Sequence, residues 1–548
     1  MNQMVDIRPQ VQAAVLDSAH LGDIQGALGT IYQHDNRARL TWRHRFATLL
    51  AILGPGLIVM AGDNDAGAFA TYTQAGQNYG TTLLWTLLLL VPVLYVNQEM
   101  VLRLGAVTGV GHGRLILERF GKFWGAFSVI DLFLLNGLTI VTEFIGISLA
   151  LDYLGVSKLL GVAVAAGLTI VGASTGNFRR FERFALMLCF GSLLLVPILL
   201  MVHPPLMRIA HDLVVPGLPE GRLSDIMLLI IGLVGTTVAP WQLFFQQSYV
   251  VDKRITPRFM AYERADLWLG IVLVMIGGIA LMAFSAATFT GTQGFGNFTD
   301  AGGIAAGLAS HAGPVAGVLF ALVLIDASVI GASAVSLSTA YAIGDVLTVR
   351  HSLHRKPTDA IGFYLIYAGL IAVAAALVLI PGSPLGLLTV AVQTLAGVLL
   401  PSATVFLLLL CNDRAVLGPW VNGRWLNLFT GAVIAVLIVL SVILTASVLY
   451  PDISDAAILW TLGGGVALAL IVAGSAVVLR RNGRNSSALD QAEAHADRAT
   501  WRMPPLAQLA PARLTAAKRI WLAVLRLYLV AASIMVVVRV AQIALGGG

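Results

Sequence analysis

The chain has 548 residues and a formal net charge of +6; 58% of its residues are hydrophobic, only 11% are charged, and its mean hydropathy is +0.85. A soluble domain carries roughly 25% charged residues, so this composition excludes a soluble globular protein and defines an all-α polytopic membrane protein. The two cysteines, Cys189 and Cys411, both sit in apolar runs, which excludes a disulfide framework and a structural zinc site.

Residues 1–45 are mixed and polar, lack the apolar core of a cleaved signal peptide, and are expected to form a cytoplasmic N-terminal segment. Apolar runs of spanning length follow near 48–76, 81–102, 124–151, 159–174, 184–203, 226–250 and 265–289. Five more lie near 314–347, 360–381, 385–411, 426–449 and 457–479, which makes twelve expected spans. With the N-terminus inside, sixteen Lys and Arg residues fall in the inner loops and three, Lys158, Arg208 and Arg222, in the outer ones. That asymmetry orients the chain and supports the span count. The expected division is a transport core over 46–411 (spans one to ten), spans eleven and twelve over 412–480, and a cytoplasmic linker over 481–518. The linker carries Asn485-Ser486-Ser487 and Pro504-Pro505, and a further membrane or amphipathic helix over 519–548 ends the chain.

The first span is interrupted. Gly62-Asp63-Asn64-Asp65-Ala66-Gly67-Ala68 puts two carboxylates in a segment otherwise apolar enough to cross the bilayer. A carboxylate there faces a cavity, a partner or an ion, and the flanking glycines weaken the helix where backbone carbonyls become available. The pattern reads first as a cation site, and the plainer alternative is a kink whose aspartates cap the broken ends. The sixth span is interrupted too, at Gly235-Thr236-Thr237-Val238-Ala239-Pro240-Trp241-Gln242, where proline removes a helical hydrogen bond. The two breaks lie five helices apart. Five is odd, so the two halves have opposite topology, and inverted repeats of this kind bind substrate between their broken helices.

Other features carry less. Glu99 and Arg103, four residues apart, read as a structural ion pair. Asp131, Glu143 and Asp326 are further acids inside the membrane; Trp42, Trp85, Trp124 and Trp501 read as interfacial anchors. Most histidines, including His351 and His354, read as solvated loop residues. No phosphate-binding loop supports ATP-driven transport, and no nucleophile–base constellation supports an enzyme.

The stretch 53–80, from Gly54-Pro55-Gly56 through Asp65-Ala66-Gly67-Ala68-Phe69-Ala70-Thr71 to Gln74-Ala75-Gly76, resembles the first span of the Nramp divalent-metal transporters. The stretch 233–248 resembles their sixth span, and Asn177-Phe178-Arg179-Arg180-Phe181-Glu182-Arg183 their loop before the fifth. The resemblance covers spans one to ten and extends into the eleventh. It implies a LeuT-type fold, two inverted five-helix repeats plus additional C-terminal helices, and alternating-access transport of a divalent cation. The implied localisation is a bacterial inner membrane, with no nucleic acid, no obligate protein partner and no resident cofactor.

The departures from the family pattern are specific. The family motif Asp-Pro-Gly-Asn reads Asp65-Ala66-Gly67-Ala68, and its Met-Pro-His reads Ala239-Pro240-Trp241, so a thioether and a histidine are gone. A second sixth-span histidine is matched by Gln246. The third-span glutamate is matched by Glu143, and the aspartate three residues before it by Ile140. The ninth-span arginine has no counterpart within 359–381, and a tenth-span glutamine is matched by Gln393. Soft sulfur favours transition metals over hard Mg²⁺. Its loss leaves Asp65, Asp63, Gln393, Thr236 and carbonyls near Gly62 and Thr236 around a wider cavity, with Ala68 and Ala239 no longer supplying ligands. That set suits Mg²⁺, which keeps several waters, and resembles the prokaryotic Nramp-related magnesium transporters. With Trp241, Gln246 and Ile140 in place of titratable groups, proton coupling is expected to be lost. The alternatives are a proton-coupled Mn²⁺ or transition-metal symporter and a carrier of an organic cation or amino-acid-like solute on the same fold. A sensor that no longer transports is a third class.

Overall fold

The computed structural model describes residues 15–35, 37–380, 385–449, 453–481 and parts of 498–530. Most of the expected helix over 519–548 and most of the linker lie outside the described residues; 522, 523, 527 and 530 are described and are helical. A short hairpin, β1 (Ile24–Gly26) and β2 (Gly29–Ile31), pairs antiparallel with Ile24 opposite Ile31. The first helices are α1 (Trp42–Ile52), α2 (Pro55–Asp63), α3 (Ala66–Tyr79), α4 (Leu84–Thr108), α5 (His112–Phe120) and α6 (Lys122–Tyr153). Next come α7 (Lys158–Ala173), α8 (Phe178–Gly191), α9 (Leu195–Val202) and α10 (Leu206–Val214), then α11 (Leu223–Thr237), α12 (Pro240–Asp252), α13 (Met260–Phe289) and α14 (Ala301–Ala312). The last are α15 (Pro314–Leu347), α16 (Ile361–Val378), α17 (Leu385–Cys411), α18 (Arg414–Leu417), α19 (Arg424–Leu449) and α20 (Asp455–Arg481).

Among the described residues, eight helices are long and apolar enough to cross a membrane, or ten if two bent pairs each count as one. Lys158–Ala173 and Asp455–Leu468 are shorter apolar helices. All twelve predicted stretches are helical.

The two halves repeat each other. Each opens on a broken helix, α2/α3 in the first and α11/α12 in the second. Each inserts a short helix after its second long one, α5 and α14. The packing exchanges in the same way: α2 and α3 lie on α13, α12 lies on α4, and α6 and α15 lie on each other. This is the LeuT-type arrangement of inverted repeats.

Glycine makes the closest of these contacts. A Cβ on Gly56 would stand 2.6 Å from Leu267 Cα, and one on Gly270 would stand 2.6 Å from Gly56 O, so α2 and α13 touch backbone to backbone. Small residues allow such approach in membrane proteins. From α13, Asp266 also accepts hydrogen bonds from Gly54 N at 3.1 Å and Gly56 N at 2.6 Å, capping α2 at its start.

The Glu99–Arg103 pair is present at 3.3 Å and is larger than predicted: Arg264 reaches Glu99 at 2.7 Å, and Arg103 donates to Trp420 O and Asn422 Oδ1. Two expectations fail. His351 is buried, not solvated, and its Nε2 lies 3.0 Å from Asp345 Oδ1. Burial opposes its charge, but the Asp345 carboxylate outweighs that and raises its pKa to about 9. His354 is stacked on Phe178 with its Nε2 3.1 Å from Asp252 O. Trp124 is likewise no interfacial anchor, because it is buried against Phe406. His354 and Trp124 are covered by partners distant in sequence, Phe178 and Phe406, and His351 by Asp345 together with His20, whose Nε2 lies 3.0 Å from His351 O.

Gly56→Val forces α2 and α13 apart. It should destabilise the protein by about 1–3 kcal/mol, the usual cost of overpacking, seen as a lower melting temperature of the detergent-purified protein. An unchanged melting temperature would contradict the backbone contact.

Candidate functional site

The first break is two residues wide. Asp63 ends α2, Asn64 leaves the helical path, and Asp65 begins α3 as its N-cap, accepting from Ala68 N at 2.8 Å. The plainer reading of Asp65 as a cap is therefore part of the structure. It does not account for Asp63, which sits at a helix C-terminus, where the macrodipole disfavours a negative charge. Asp63 Oδ1 accepts from Gln242 Nε2, and Gln242 Oε1 accepts from Gln98 Nε2 at 2.9 Å. Asp63 Oδ2 has no protein partner.

The second break matches it. Thr237 ends α11, and Ala239 is the N-cap of α12 with no side chain to cap it. Thr236 is buried with its hydroxyl unpartnered. Tyr72 OH lies 2.7 Å from Thr237 Oγ1, which joins α3 to α11 directly. Ser338 on α15 donates to Trp241 O at 2.9 Å and so accommodates a carbonyl in the first turn of α12.

Glu143 on α6 closes the third side. Its Oε2 accepts from Ala66 N at 3.1 Å, and its carboxyl is in hydrogen-bonding contact with that of Asp65. Gly331 on α15 makes room for both: a Cβ there would stand 2.9 Å from Asp65 Cβ and 2.9 Å from Glu143 Cδ. Gln393 on α17 lays its amide over Gly67, leaving no room for a Cβ, and its Nε2 has no partner.

The eleven residues singled out in the sequence are all buried, and most of them converge here. Asp63, Asp65, Gly62, Thr236, Ala239 and Gln393 belong to the two breaks or the helix against them. Ala68 serves Asp65 through its backbone, and Trp241 stands over Gly62 with its ring 3.3 Å from where a Cβ would be. Gln246 lies further along α12 with both amide atoms unpartnered, and Ile140 is packed into the core beside Glu143 on α6. The expected wide cavity is not open in this conformation. Trp241 and Gln393 press on the glycines that flank the break, and the adjoining space beside Ala66, Ala70 and Gly146 measures about 10 Å³. That is room for about one water.

Sequence reading missed Gln242, Gln98, Asn64, Tyr72 and Gly331. Gln242 had a signal, since a glutamine two residues after a membrane proline is polar where lipid would forbid it. Gln98 and Gly331 had none beyond their residue type. Among the described residues, no group of three or more His, Cys, Asp or Glu is placed to hold a metal. Several buried oxygens around the two breaks are unpartnered, namely Asp63 Oδ2, Asn64 Oδ1, Thr236 Oγ1, Glu143 Oε1 and Gln98 Oε1, as is the amide donor Gln393 Nε2. Buried acceptors without donors favour a cation.

Two broken helices at equivalent places of inverted repeats, closing on a sealed polar site, define a membrane transporter of LeuT type, not an enzyme. Comparison with known proteins is specific. The Natural resistance-associated macrophage protein-like (Nramp) family matches residues 56–447. A divalent metal cation transporter MntH of Ralstonia nicotianae is 31% identical over 418 residues, which span 73% of this chain and 92% of that protein. An MntH of Xylella fastidiosa is 28% identical over 456 residues, with coverages of 79% and 91%. The crystal structure of an Eremococcus coleocola manganese transporter, in complex with an aromatic bis-isothiourea substituted compound, matches with a TM-score of 0.61 at 19% identity, over 86% of this chain and 99% of that one. This chain belongs to the Nramp family.

Asp65→Ala removes the cap of α3 and the carboxyl partner of Glu143 together. It should abolish divalent-cation uptake into proteoliposomes while the protein still inserts and purifies, and Asp63→Asn should be milder. Near-normal flux through Asp65→Ala would sink the assignment of this site.

Proposed function

We propose that the protein carries divalent cations across a bacterial inner membrane by alternating access, with its N-terminus in the cytoplasm, and that its cargo is Mg²⁺ held largely hydrated. The observation that carries this reading is the donor set. The buried groups at the two breaks offer carboxylate, hydroxyl, amide and carbonyl oxygen, and Ala239 stands where the family pattern has its thioether. Hard oxygen with few charges suits an ion that dehydrates reluctantly, and it discriminates against softer metals that gain most from sulfur. Trp241 and Gln393 close the site in this conformation, so a hydrated ion enters only when both move aside.

A second reading has support of its own. The solved relative above is named a manganese transporter, and Asp65 and Glu143 place two buried carboxyls side by side against Gly331. Against proton coupling stand Ile140, Trp241 and Gln246, none of which titrates. Flux in proteoliposomes screened over Mg²⁺, Mn²⁺ and Ca²⁺ separates the readings, and competition with organic amines tests the remaining solute class.

If coupling is lost, Mg²⁺ uptake should leave the vesicle lumen at constant pH and should follow membrane potential, at about 2.3 kcal/mol per elementary charge per 100 mV. Ion-driven acidification above a protein-free control would show a working proton relay.

Ala239→Met should raise Cd²⁺ or Mn²⁺ affinity and weaken Mg²⁺, because sulfur displaces retained water. Adding Ala68→Asn should increase the shift non-additively, since both side chains would face one ion. Calorimetric Cd²⁺ binding with competitive Mg²⁺ flux measures it. Unchanged Cd²⁺ affinity in correctly inserted variants would overturn the hydrated-ion reading.

A further inference from the structure

The segment before α1 is tied down far more tightly than a polar N-terminal tail needs to be. Asp17 receives Arg355 Nε at 2.9 Å and Nη2 at 2.5 Å, and His351 N at 3.0 Å, all from the loop after α15. Arg254, just past α12, donates to Ala19 O and Asp23 O, each at 2.9 Å. Arg258 donates to Asp35 O at 2.7 Å. From α8, Arg183 Nε reaches Ala27 O at 3.0 Å, and Glu182 Oε2 accepts from Ala27 N at 2.5 Å. The hairpin also grips α1. A Cβ on Gly26 would stand 1.9 Å from Ala51 O, and one on Gly29 would stand 2.9 Å from Ala51 Cβ.

Beneath the hairpin, Lys253 Nζ ties the same elements together. It donates to Ile52 O at 2.6 Å, Leu53 O at 2.9 Å and Glu182 Oε1 at 2.6 Å, and both its side chain and that of Glu182 are fully buried. Charge-assisted bonds at such depth are short and strong, and breaking one leaves a buried charge alone.

These bonds do not all join one body. The α1–α2 arm and α12 are the broken-helix elements that close on the site, and α8 and the end of α15 are the walls they pack against. Alternating access requires the two groups to separate at one end. We propose that residues 17–35 form a strap that holds the transporter shut on the side where α8, α12 and α15 meet the hairpin, and that release of cargo on that side requires the strap to lift. The strap runs directly into α1, so its lifting and the swing of α1–α2 are one movement. The inference rests on alternating access as proposed above, with that side cytoplasmic, and is independent of which ion is carried.

The test is hydrogen–deuterium exchange on the full-length protein in lipid nanodiscs, comparing Asp17→Arg with the charge swap Asp17→Arg/Arg355→Asp. The single variant should exchange about tenfold faster both in the hairpin, Ile24–Ile31, and in α1 and α2, and the swap should restore much of the protection. Gly26→Val, which pushes the hairpin off Ala51 by a different route, should reproduce the pattern. Faster exchange in the hairpin with α1 and α2 unchanged would overturn the strap as a gate. No change in either segment, in both single variants, would overturn it as a restraint. Failure of the transport reading would look different: no cation flux from the unaltered protein, with this exchange pattern intact.

Discussion

Every hydrogen bond that a helix gives up inside a bilayer has to be remade by the protein, because no water is there to take it. The fold follows from that constraint at two places, the α2/α3 break and the α11/α12 break. At the first, Asp65 takes Ala68 N and Glu143 takes Ala66 N, so the start of α3 is satisfied by one residue of its own chain segment and one from α6. At the other end of α2, Asp266 supplies the same service from α13. At the second break the ties are of another kind: Ser338 adds a bond to Trp241 O in the first turn of α12, and Tyr72 joins Thr237 side chain to side chain. Each repair recruits a different helix, so the repairs themselves hold the two repeats in register around the breaks.

The repairs are incomplete. Polar groups of both kinds are left over near the breaks: the acceptors Asp63 Oδ2 and Asn64 Oδ1, the Thr236 hydroxyl and the donor Gln393 Nε2. An unpaired buried acceptor costs about 1–3 kcal/mol, a cost that a cation facing several of these oxygens would offset under the proposed reading. Asp63 adds to this, because it sits at the negative end of α2 while Asp65 enjoys the positive end of α3. The two aspartates, two residues apart, are thus in opposite electrostatic settings. Asp65 is built into the start of α3, whereas Asp63 bonds Gln242 and keeps its second oxygen unpartnered.

The strap and the central site pull on the same elements from different depths. Gln242 and Trp241 lie at the site end of α12, and Lys253 and Arg254 follow its far end, so a change at either end acts on one rigid thirteen-residue helix. Its partner α2 is held in the same way, by Asp63 at one end and by Lys253 and Asp266 at the other. A transporter needs both arms to respond together, and the bonding at the hairpin end provides a physical reason for it.

Composition and hydropathy were enough to determine a polytopic helical membrane protein, and the odd spacing of two helix breaks was enough to determine inverted repeats, because lipid imposes length and polarity rules that act residue by residue. The motif around Asp65 could be read for the same reason: a carboxylate and two glycines have no neutral place in hydrocarbon. What fills the space around that motif could not be read. Loss of a thioether and an amide at Ala239 and Ala68 suggested a wider cavity, yet Trp241 and Gln393 close over Gly62 and Gly67. His351 looked like a solvated loop residue until Asp345 and the N-terminal strap covered it. Asp63 could be named as a candidate ligand, but nothing in the sequence placed Gln242 and Gln98 behind it. In each case the deciding partner is more than a hundred residues away or on another helix face. Sequence periodicity reports which residues must be buried, and only the packed helices determine what they are buried against.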